Sequence, residues 1–262
     1  MNSELKNLLK AVIPKRLKSF FLGSKKVNDK RHYEGSAVTC TICGSKFSTF
    51  APFGSPRRQN AKCLKCSSLE RHRLIWKYMH DNTDFFKQEK LSLLHFAPEK
   101  FFYEAFSNMP SVEYVPCDLF PELFMFAGSN KVRRVDITAI PFPENTFDVV
   151  LCNHVLEHIP DDRQAMSELY RVMKPGAWAI LQVPIDYRRE KSYEDFSITT
   201  EEGRKAAFGQ KDHVRWYGKD YKDRLSSVGF GVKEDRYVLN FSDAERFQFG
   251  FQASELIYFC RK

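Results

Sequence analysis

The chain has 262 residues, 43% of them hydrophobic and 28% charged, an ordinary globular composition with room for one large core and a small accessory module. Its apolar runs are broken within about ten residues, which excludes a membrane-spanning helix of about 20 residues, and the N-terminus lacks the apolar core of a signal peptide. We expect a cytoplasmic protein, peripheral to a membrane if its basic N-terminus binds one.

Positive charge is concentrated in the first third, where residues 1–80 contain 17 Lys and Arg against 4 Asp and Glu. This excess indicates an anionic partner or a strongly solvated surface. Within residues 1–35, a basic segment interrupted at Pro14 has apolar side chains at helical spacing, namely Leu5, Leu8, Leu9, Val12 and Ile13. Two hypotheses follow: a helix on an anionic membrane surface, or a helix packed on the protein itself, followed by a linker from Gly23 to Gly35.

Residues 36–67 contain two CxxC pairs separated by 19 residues, Cys40 with Cys43 and Cys63 with Cys66. Four thiolates at this spacing can converge tetrahedrally on one zinc ion, and a fully occupied ligand set predicts a structural zinc in a zinc-ribbon-like module. The alternative is four unliganded or redox-active thiols. The surrounding basic residues are candidates for contacts with nucleic-acid phosphates or lipid headgroups, or they serve solubility alone: Arg57, Arg58, Lys62, Lys65, Arg71 and Arg73.

From residue 68 onward, strand and helix patterns alternate to residue 262, which predicts a parallel sheet covered on both faces. A helix should begin at Ser67, where Ser67 and Glu70 have the spacing of a capping box. The predicted strands are Leu91–Phe96, Val112–Cys117, Phe147–Cys152, Ala177–Pro184, Gly231–Tyr237 and Leu256–Cys260. The later predicted helices are Lys100–Asn108, Arg163–Met173 and Lys219–Val228.

Polar residues follow these strands at the edge where an open parallel sheet binds its ligand. Asp118 ends the second strand, Asp136 and Ile137 form an acid–hydrophobic pair, and Asn153 with His154 follows the third strand. A carboxylate there can accept both hydroxyls of a ribose, and an acid–hydrophobic pair can bind one edge of an adenine and cover its face. The pattern therefore predicts a nucleoside site.

The block VDITAIPFPENTFDVVLCNHVLEHIPDDRQAMSELYRVMKPGAWAILQVP, residues 135–184, resembles the middle of class I methyltransferases of the methyltransferase-11 type. The resemblance implies a Rossmann-like α/β fold with a seven-stranded, mostly parallel sheet, helices on both faces, and S-adenosylmethionine as cofactor. It also implies that Asp118 binds the ribose, that Asp136 and Ile137 bind the adenine, and that Asn153 and His154 line the methionine moiety. The resemblance extends over about residues 90–262.

The first strand departs from this family pattern, which has an acid followed by a glycine-rich loop. The chain has His95 at the position of the acid, and Ala97 and Glu99 where glycines belong. Glycine suits that loop because its backbone approaches the ligand and often adopts positive φ. S-adenosylmethionine carries no phosphate, so the change disfavours a dinucleotide more than a methyl donor. We predict that His95, the Ala97 backbone and Glu99 bind the amino-acid end of the cofactor.

Three histidines are candidates for the base that a hydroxyl acceptor requires. His158 and His213 rank ahead of His154; all three are also compatible with a merely structural role. The Glu157–His158 step is similar to the pair by which some quinone-ring O-methyltransferases hold a divalent metal, although an adjacent pair is an incomplete ligand set. An insertion at residues 185–210 should cover the acceptor, with Asp186, Tyr187, Arg188 and Arg189 setting selectivity.

These observations predict O-methylation of a small-molecule or carbohydrate-like acceptor, a glycan or a lipid-linked compound included. One alternative is an RNA methyltransferase whose basic zinc module binds nucleic acid. Another is a catalytically degenerate protein whose zinc module serves interaction with a partner. Binding of S-adenosylhomocysteine separates the enzymatic hypotheses from the last one.

Overall fold

The computed structural model describes residues 33–54, 56–127 and 131–262. The basic amphipathic segment predicted before residue 33 lies outside them. Their main feature is a seven-stranded sheet in the order β12-β13-β9-β8-β5-β6-β7, in which β13 is antiparallel to both its neighbours and all other pairs are parallel. Its strands are β5 (Leu91–Phe96), β6 (Val112–Asp118), β7 (Arg133–Arg134), β8 (Phe147–Asn153), β9 (Met173–Gln182), β12 (Gly231–Asp235) and β13 (Ile257–Arg261). The predicted seven-stranded, mostly parallel sheet is confirmed.

Alternating side chains of the sheet enter two separate hydrophobic cores, one on each face. Leu93 packs with residues of α1 (Glu70–Asn82) and α2 (Lys100–Ser107). Its neighbour Leu94 packs on the other face with residues of α3 (Asp162–Val172) and α5 (Tyr221–Ser226). Helices therefore cover both faces, as predicted, and every residue of β5 is buried.

Two short hairpins form the cysteine-rich module. One pairs β1 (Val38–Thr39) with β2 (Lys46–Phe47), and the other pairs β3 (Ala51–Phe53) with β4 (Arg58–Lys62). Gly44 and Ser67 occupy matching places in the two CxxC turns: each has positive φ, 68° and 65°, and each donates its backbone N–H to the first cysteine of its pair. The two turns thus share one backbone conformation.

The predicted capping box at Ser67 is wrong, because Ser67 belongs to the second CxxC turn. The helix α1 begins three residues later, at Glu70, and its N-cap is Leu69. The imidazole of His72 accepts the backbone N–H of Leu69 at 3.1 Å and so performs the reciprocal half of a capping box.

The insertion after β9 is structured. Its strand β10 (Tyr193–Glu194) pairs with β11 (Arg215–Trp216), and α4 (Glu201–Phe208) lies between them. The sequence patterns did not predict α4, the two-residue strand β7, or α6 (Asp243–Phe249), which precedes the last strand. Within the described residues, no helix combines the length and hydrophobicity that crossing a bilayer requires.

Candidate functional site

The predicted nucleoside residues lie together at the carboxyl ends of β5, β6 and β8. The backbone N–H of Ala97 donates to the carbonyl of Cys117 at 3.0 Å, and the N–H of Val135 donates to that of Asp118 at 3.0 Å. These bonds bring the loop after β5, the end of β6 and the Asp136 segment to one edge. The edge is the one at which parallel α/β sheets bind ligands.

Asp118 and Asp136 are held by short turns of their own. The carboxylate of Asp118 accepts the backbone N–H of Phe120 at 2.7 Å, and burial raises its pKa. Asp136 is exposed and accepts both the N–H and the hydroxyl of Thr138, at 2.8 and 2.7 Å. Ile137 is buried in the core below. Each carboxylate retains an oxygen for further hydrogen bonds.

The loop after β5 keeps a left-handed backbone despite its lack of glycine. Ala97 has φ of 49°, a conformation that costs an L-residue about 1–2 kcal/mol relative to glycine. Two residues later Glu99 occupies the N-cap position of α2, although its side chain makes no cap hydrogen bond. That side chain is therefore free to point toward β5 and β8.

Glu99 is the centre of a polar cluster that joins three elements. Its carboxylate lies 3.0 Å from Nε2 of His95, 3.4 Å from Nε2 of His72 and 3.4 Å from Nδ2 of Asn153. His95 is fully buried and its Nδ1 contacts the hydroxyl of Tyr114 at 3.0 Å, so both ring nitrogens are occupied. We therefore expect His95 to orient Glu99 and not to contact a ligand itself.

His72 donates to Glu99 as a neutral imidazole, so it adds no positive charge beside the carboxylate. Burial, and then the charge of Arg71, hold the pKa of His72 well below its usual range. Because Nδ1 of His72 accepts the N–H of Leu69, its proton is on Nε2, which faces Glu99. The cluster therefore presents a carboxylate suited to a bound cation.

Two orphaned polar atoms lie beside this carboxylate. Among the described residues, neither Nε of Arg71 nor Oδ1 of Asn153 has a hydrogen-bond partner, although both atoms are buried. Arg71 is under the electrostatic influence of Glu255 and Glu99, and burial lowers its pKa. Leaving such atoms unpaired costs about 1–3 kcal/mol each, so their arrangement indicates a ligand. An acid beside a guanidinium matches the ammonium and carboxylate of an amino acid.

The three candidate histidines surround Glu157, in the 3₁₀ turn Leu156–His158 after β8. Nδ1 of His154 lies 3.2 Å from Oε1 of Glu157, and Nε2 of His213 lies 4.0 Å from the same oxygen. The rings of His158 and His213 contact each other edge to face. Burial acts to raise the pKa of Glu157, but the hydrogen bond from His154 and the nearby imidazoles outweigh it and lower the pKa to about 2.

The four predicted zinc ligands converge. The Sγ atoms of Cys40 and Cys66 are 3.7 Å apart, as are those of Cys43 and Cys63, and all four atoms lie within 4.8 Å of one another. Tetrahedral zinc with bonds of about 2.3 Å requires sulfur separations of about 3.8 Å, which these distances match. The cysteines are free thiols, so the cluster has the geometry of a metal site.

Several basic residues of the cysteine module serve internal contacts. Arg58 pairs with Glu70 at 2.8 Å. The buried guanidinium of Arg73 donates to four backbone carbonyls at 2.7–3.0 Å, those of Ala61, Ser68, Phe249 and Gly250. These two arginines join the module to α1 and to the end of α6, so less charge faces outward than the sequence alone indicates.

In the insertion, the carboxylate of Asp186 accepts two hydrogen bonds from the guanidinium of Arg188, at 2.7 and 3.0 Å. The same carboxylate lies 3.3 Å from Nε of Arg189. Tyr187 is among the exposed large side chains. The predicted role of these four residues in acceptor selectivity stays a prediction.

The structure brings together every predicted cofactor residue at one sheet edge, and it places the three histidines directly beyond Asn153. Sequence reasoning missed Arg71 and His72 as members of this site. They come from the helix that follows the cysteine module, about 20 residues before the first strand, and only the fold places them beside Glu99. The sole signal was a concentration of basic residues and histidine near residue 71.

Comparison with known proteins identifies a match to a domain family. Residues 99–181 match the methyltransferase domain family. A demethylmenaquinone methyltransferase of Lactiplantibacillus plantarum is 48% identical over 46 residues, 18% of this chain and 19% of that protein. A ubiquinone/menaquinone biosynthesis C-methyltransferase of Enterobacter sp. is 32% identical over 74 residues, 27% of this chain and 30% of that protein. The chain thus spans less than a third of the length of these curated relatives.

Among solved structures, the cyclase SpnF shares the fold with a TM-score of 0.50 at 16% identity, covering 72% of this chain and 80% of that one. At this identity the similarity concerns the fold alone. It also illustrates that one fold serves different reactions, so the chemistry has to be argued from the residues of the site.

Proposed function

We propose that this chain, which carries a methyltransferase domain in residues 99–181, transfers the methyl group of S-adenosylmethionine to an oxygen of a small-molecule or carbohydrate-like acceptor. The observation that carries the proposal is the sheet edge itself: Asp118, Asp136 and Glu99 lie at the ends of neighbouring strands, beside orphaned polar atoms of Arg71 and Asn153. Acids for a nucleoside and paired charges for an amino acid occur there together.

The residues fit the cofactor in three parts. Asp118 would bind the ribose hydroxyls, and Asp136 with Ile137 would bind the adenine. Glu99 would take the place of the acid that the first strand lacks and would bind the ammonium group of the cofactor. Arg71 would bind its carboxylate. When bound, the cofactor supplies an electrophilic methyl group on a positively charged sulfur.

The acceptor side favours an oxygen nucleophile. A hydroxyl must lose its proton as the methyl group is transferred, which requires a base. His154 follows Asn153 directly, its ring is 28% exposed, and its Nδ1 is held by Glu157. A carboxylate that binds Nδ1–H leaves Nε2 free to accept a proton, so His154 is our candidate for the base although the sequence favoured His158 and His213.

The test is calorimetric titration of the full chain with S-adenosylhomocysteine. We expect binding in the wild type, and at least tenfold weaker binding in Glu99→Gln and Asp118→Asn, since each loses a charge-assisted hydrogen bond of about 1.5–3 kcal/mol. The matched controls are Glu104→Gln, exposed on the same helix as Glu99, and Glu113→Gln, exposed at the other end of the strand that carries Asp118. Both controls should bind normally.

Absence of binding at millimolar ligand in the folded wild type would remove the enzymatic proposal and leave an interaction protein. If binding is seen, transfer of an isotopically labelled methyl group to saccharide, quinol and amine acceptors identifies the acceptor. Product attached through carbon or nitrogen would contradict the oxygen assignment while leaving methyl transfer intact.

A further inference from the structure

A second cluster of metal-ligating side chains lies apart from the four cysteines. Glu157 and His158 lie in the turn after β8, and His213 comes from the segment before β11; one ligand atom of each lies within 4.8 Å of the others. The backbone N–H of Val214 donates to the carbonyl of Glu157 at 3.0 Å, which holds the two segments together. The fold therefore brings the three side chains together.

Two atoms of this cluster are buried without a partner. In the part of the chain that the structure describes, neither Oε2 of Glu157 nor Nε2 of His213 makes a hydrogen bond, and the two residues are 1% and 4% exposed. The other oxygen of Glu157 is the one that contacts His154. A carboxylate oxygen and an imidazole nitrogen left unpaired in the same buried place indicate a ligand that the protein itself does not supply.

Both imidazoles are prepared to offer Nε2 as a lone pair. Nδ1 of His158 lies 3.1 Å from the carbonyl oxygen of Asp212, which can only accept, so the proton is on Nδ1. The nearby backbone of Phe208 favours a proton on the imidazole of His213, and since its Nε2 has no partner in the described structure, we assign that proton to Nδ1. Histidines that bind metals characteristically donate their other N–H to a carbonyl or carboxylate in this way.

We propose that Glu157, Nε2 of His158 and Nε2 of His213 bind a divalent transition-metal ion of the zinc class. Two imidazoles and one carboxylate form the ligand set of catalytic zinc sites, which leave a coordination position open. Imidazole nitrogen disfavours magnesium and calcium, which take oxygen ligands. With bonds of about 2.0–2.2 Å the ligand atoms would lie about 3.3–3.6 Å apart, so binding requires the side chains to close by about 1 Å.

Because the other oxygen of Glu157 contacts His154, an ion held by Glu157 would lie beside the proposed base, and its open position would be available to an oxygen of the acceptor. That role depends on the proposed function; binding of the ion does not. This site binds its ion through nitrogen and oxygen, whereas the cysteine site binds through sulfur. The two ions can therefore be measured separately.

The experiment uses the full chain, dialysed against Co²⁺ and analysed for metal content and absorption. We expect about two equivalents in the wild type, of which only one shows thiolate charge-transfer bands. Glu157→Gln and His213→Gln should each weaken binding of the second equivalent at least tenfold and leave the thiolate-bound one unchanged. The control is His80→Gln, an exposed histidine stacked on Phe86, which should keep both equivalents.

Because Glu157 and His213 are buried, His158→Gln provides a more exposed variant with the same expected loss. S-adenosylhomocysteine titration of each variant confirms an intact cofactor site and separates failure of this inference from failure of the proposed function. The inference is overturned if the wild type holds a single, thiolate-bound equivalent in excess Co²⁺, or if the second equivalent survives in all three variants.

Discussion

At the scale of single residues, the site compensates for a missing acid. The strand end that should carry a carboxylate carries His95, and the carboxylate appears four residues later as Glu99, where His95 and His72 both hold it. Because His72 donates as a neutral group, it does not compete with an ammonium group for the carboxylate. The negative charge has moved along the chain while its position at the sheet edge is retained.

The residue with the sharpest catalytic prediction is His154. We expect His154→Gln to lower kcat about 10²–10⁴-fold, because the variant loses the group that accepts the acceptor proton, while affinity for S-adenosylhomocysteine stays within a few-fold of the wild type. Steady-state kinetics of the variant and the wild type measures this. The control is His80→Gln. Unchanged kcat in His154→Gln would assign the proton transfer to another group.

At the scale of elements, the strands were easier to predict than what lies between them. The six predicted strands all exist, and most are marked by a run of apolar residues between turn signals, as in the fully buried β5; the exception is the polar edge strand β12. The strand β7 has only two residues, Arg133 and Arg134, both exposed, so no apolar run marks it. The false capping box at Ser67 arose because the CxxC turn, which places Ser67 at φ of 65°, overrides the local helix signal.

The residues of the candidate site also differ in how well the sequence predicts their positions. Asp118 was predictable because it directly follows a predicted strand, and the sheet rule places that strand end at the ligand edge. Asp136 follows the unpredicted strand β7 and was found only as part of an acid–hydrophobic pair within the block that resembles methyltransferases. Arg71 could not be placed because it precedes the first strand, and its position depends on how α1 packs. The convergence of His213 on Glu157 depends on a contact between residues more than 50 positions apart, which local patterns do not encode.

The cysteine module and the cofactor site share one element, the helix α1. Its first turn carries Arg71 and His72 and begins only four residues after Cys66. We predict a structural zinc, and we expect its loss in Cys63→Ser to weaken S-adenosylhomocysteine binding at least tenfold, because the first turn of α1 loses its support. Zinc analysis together with calorimetry checks both statements.

The matched control is Cys260→Ala, which removes a buried thiol outside the quartet and should leave zinc content and affinity unchanged. Less than half an equivalent of zinc in the wild type, unaffected by Cys63→Ser, would contradict the structural zinc. Full affinity in the zinc-free variant would instead show that α1 keeps its position unaided.

At the scale of the whole molecule, the small module is joined to the large domain through buried polar groups. Arg73 lies 3.9 Å from the ring of Phe50 and donates to carbonyls of both parts, and Nδ2 of Asn60 donates to the carbonyl of Phe247 at 2.8 Å. Such bonds need fixed geometry, so the two parts should unfold together. Some of the basic residues within residues 1–80, such as Arg73, thus hold the two parts together. Fewer of them are available for a nucleic-acid partner.

The folded protein buries two histidines in their neutral form, so its free energy of unfolding depends on pH. Burial lowers the pKa of His72 well below 6.5, and burial likewise lowers the pKa of His213. Below about pH 6.5 the unfolded chain therefore binds more protons than the folded one. The free energy of unfolding should fall on acidification from that pH, by up to about 1.4 kcal/mol per pH unit for each histidine, and should level off above it.

Urea unfolding between pH 5 and 8 in saturating zinc measures this slope. His72→Asn should reduce the slope and leave the contribution of His213, because the Asn oxygen can still accept the N–H of Leu69 but takes up no proton in the unfolded chain. His80→Asn, at an exposed position, should change it far less. If His72→Asn keeps the full slope, the acid sensitivity originates elsewhere. His72 would then bind its proton equally well in the folded and the unfolded chain, and a charged His72 would offset the negative charge of Glu99.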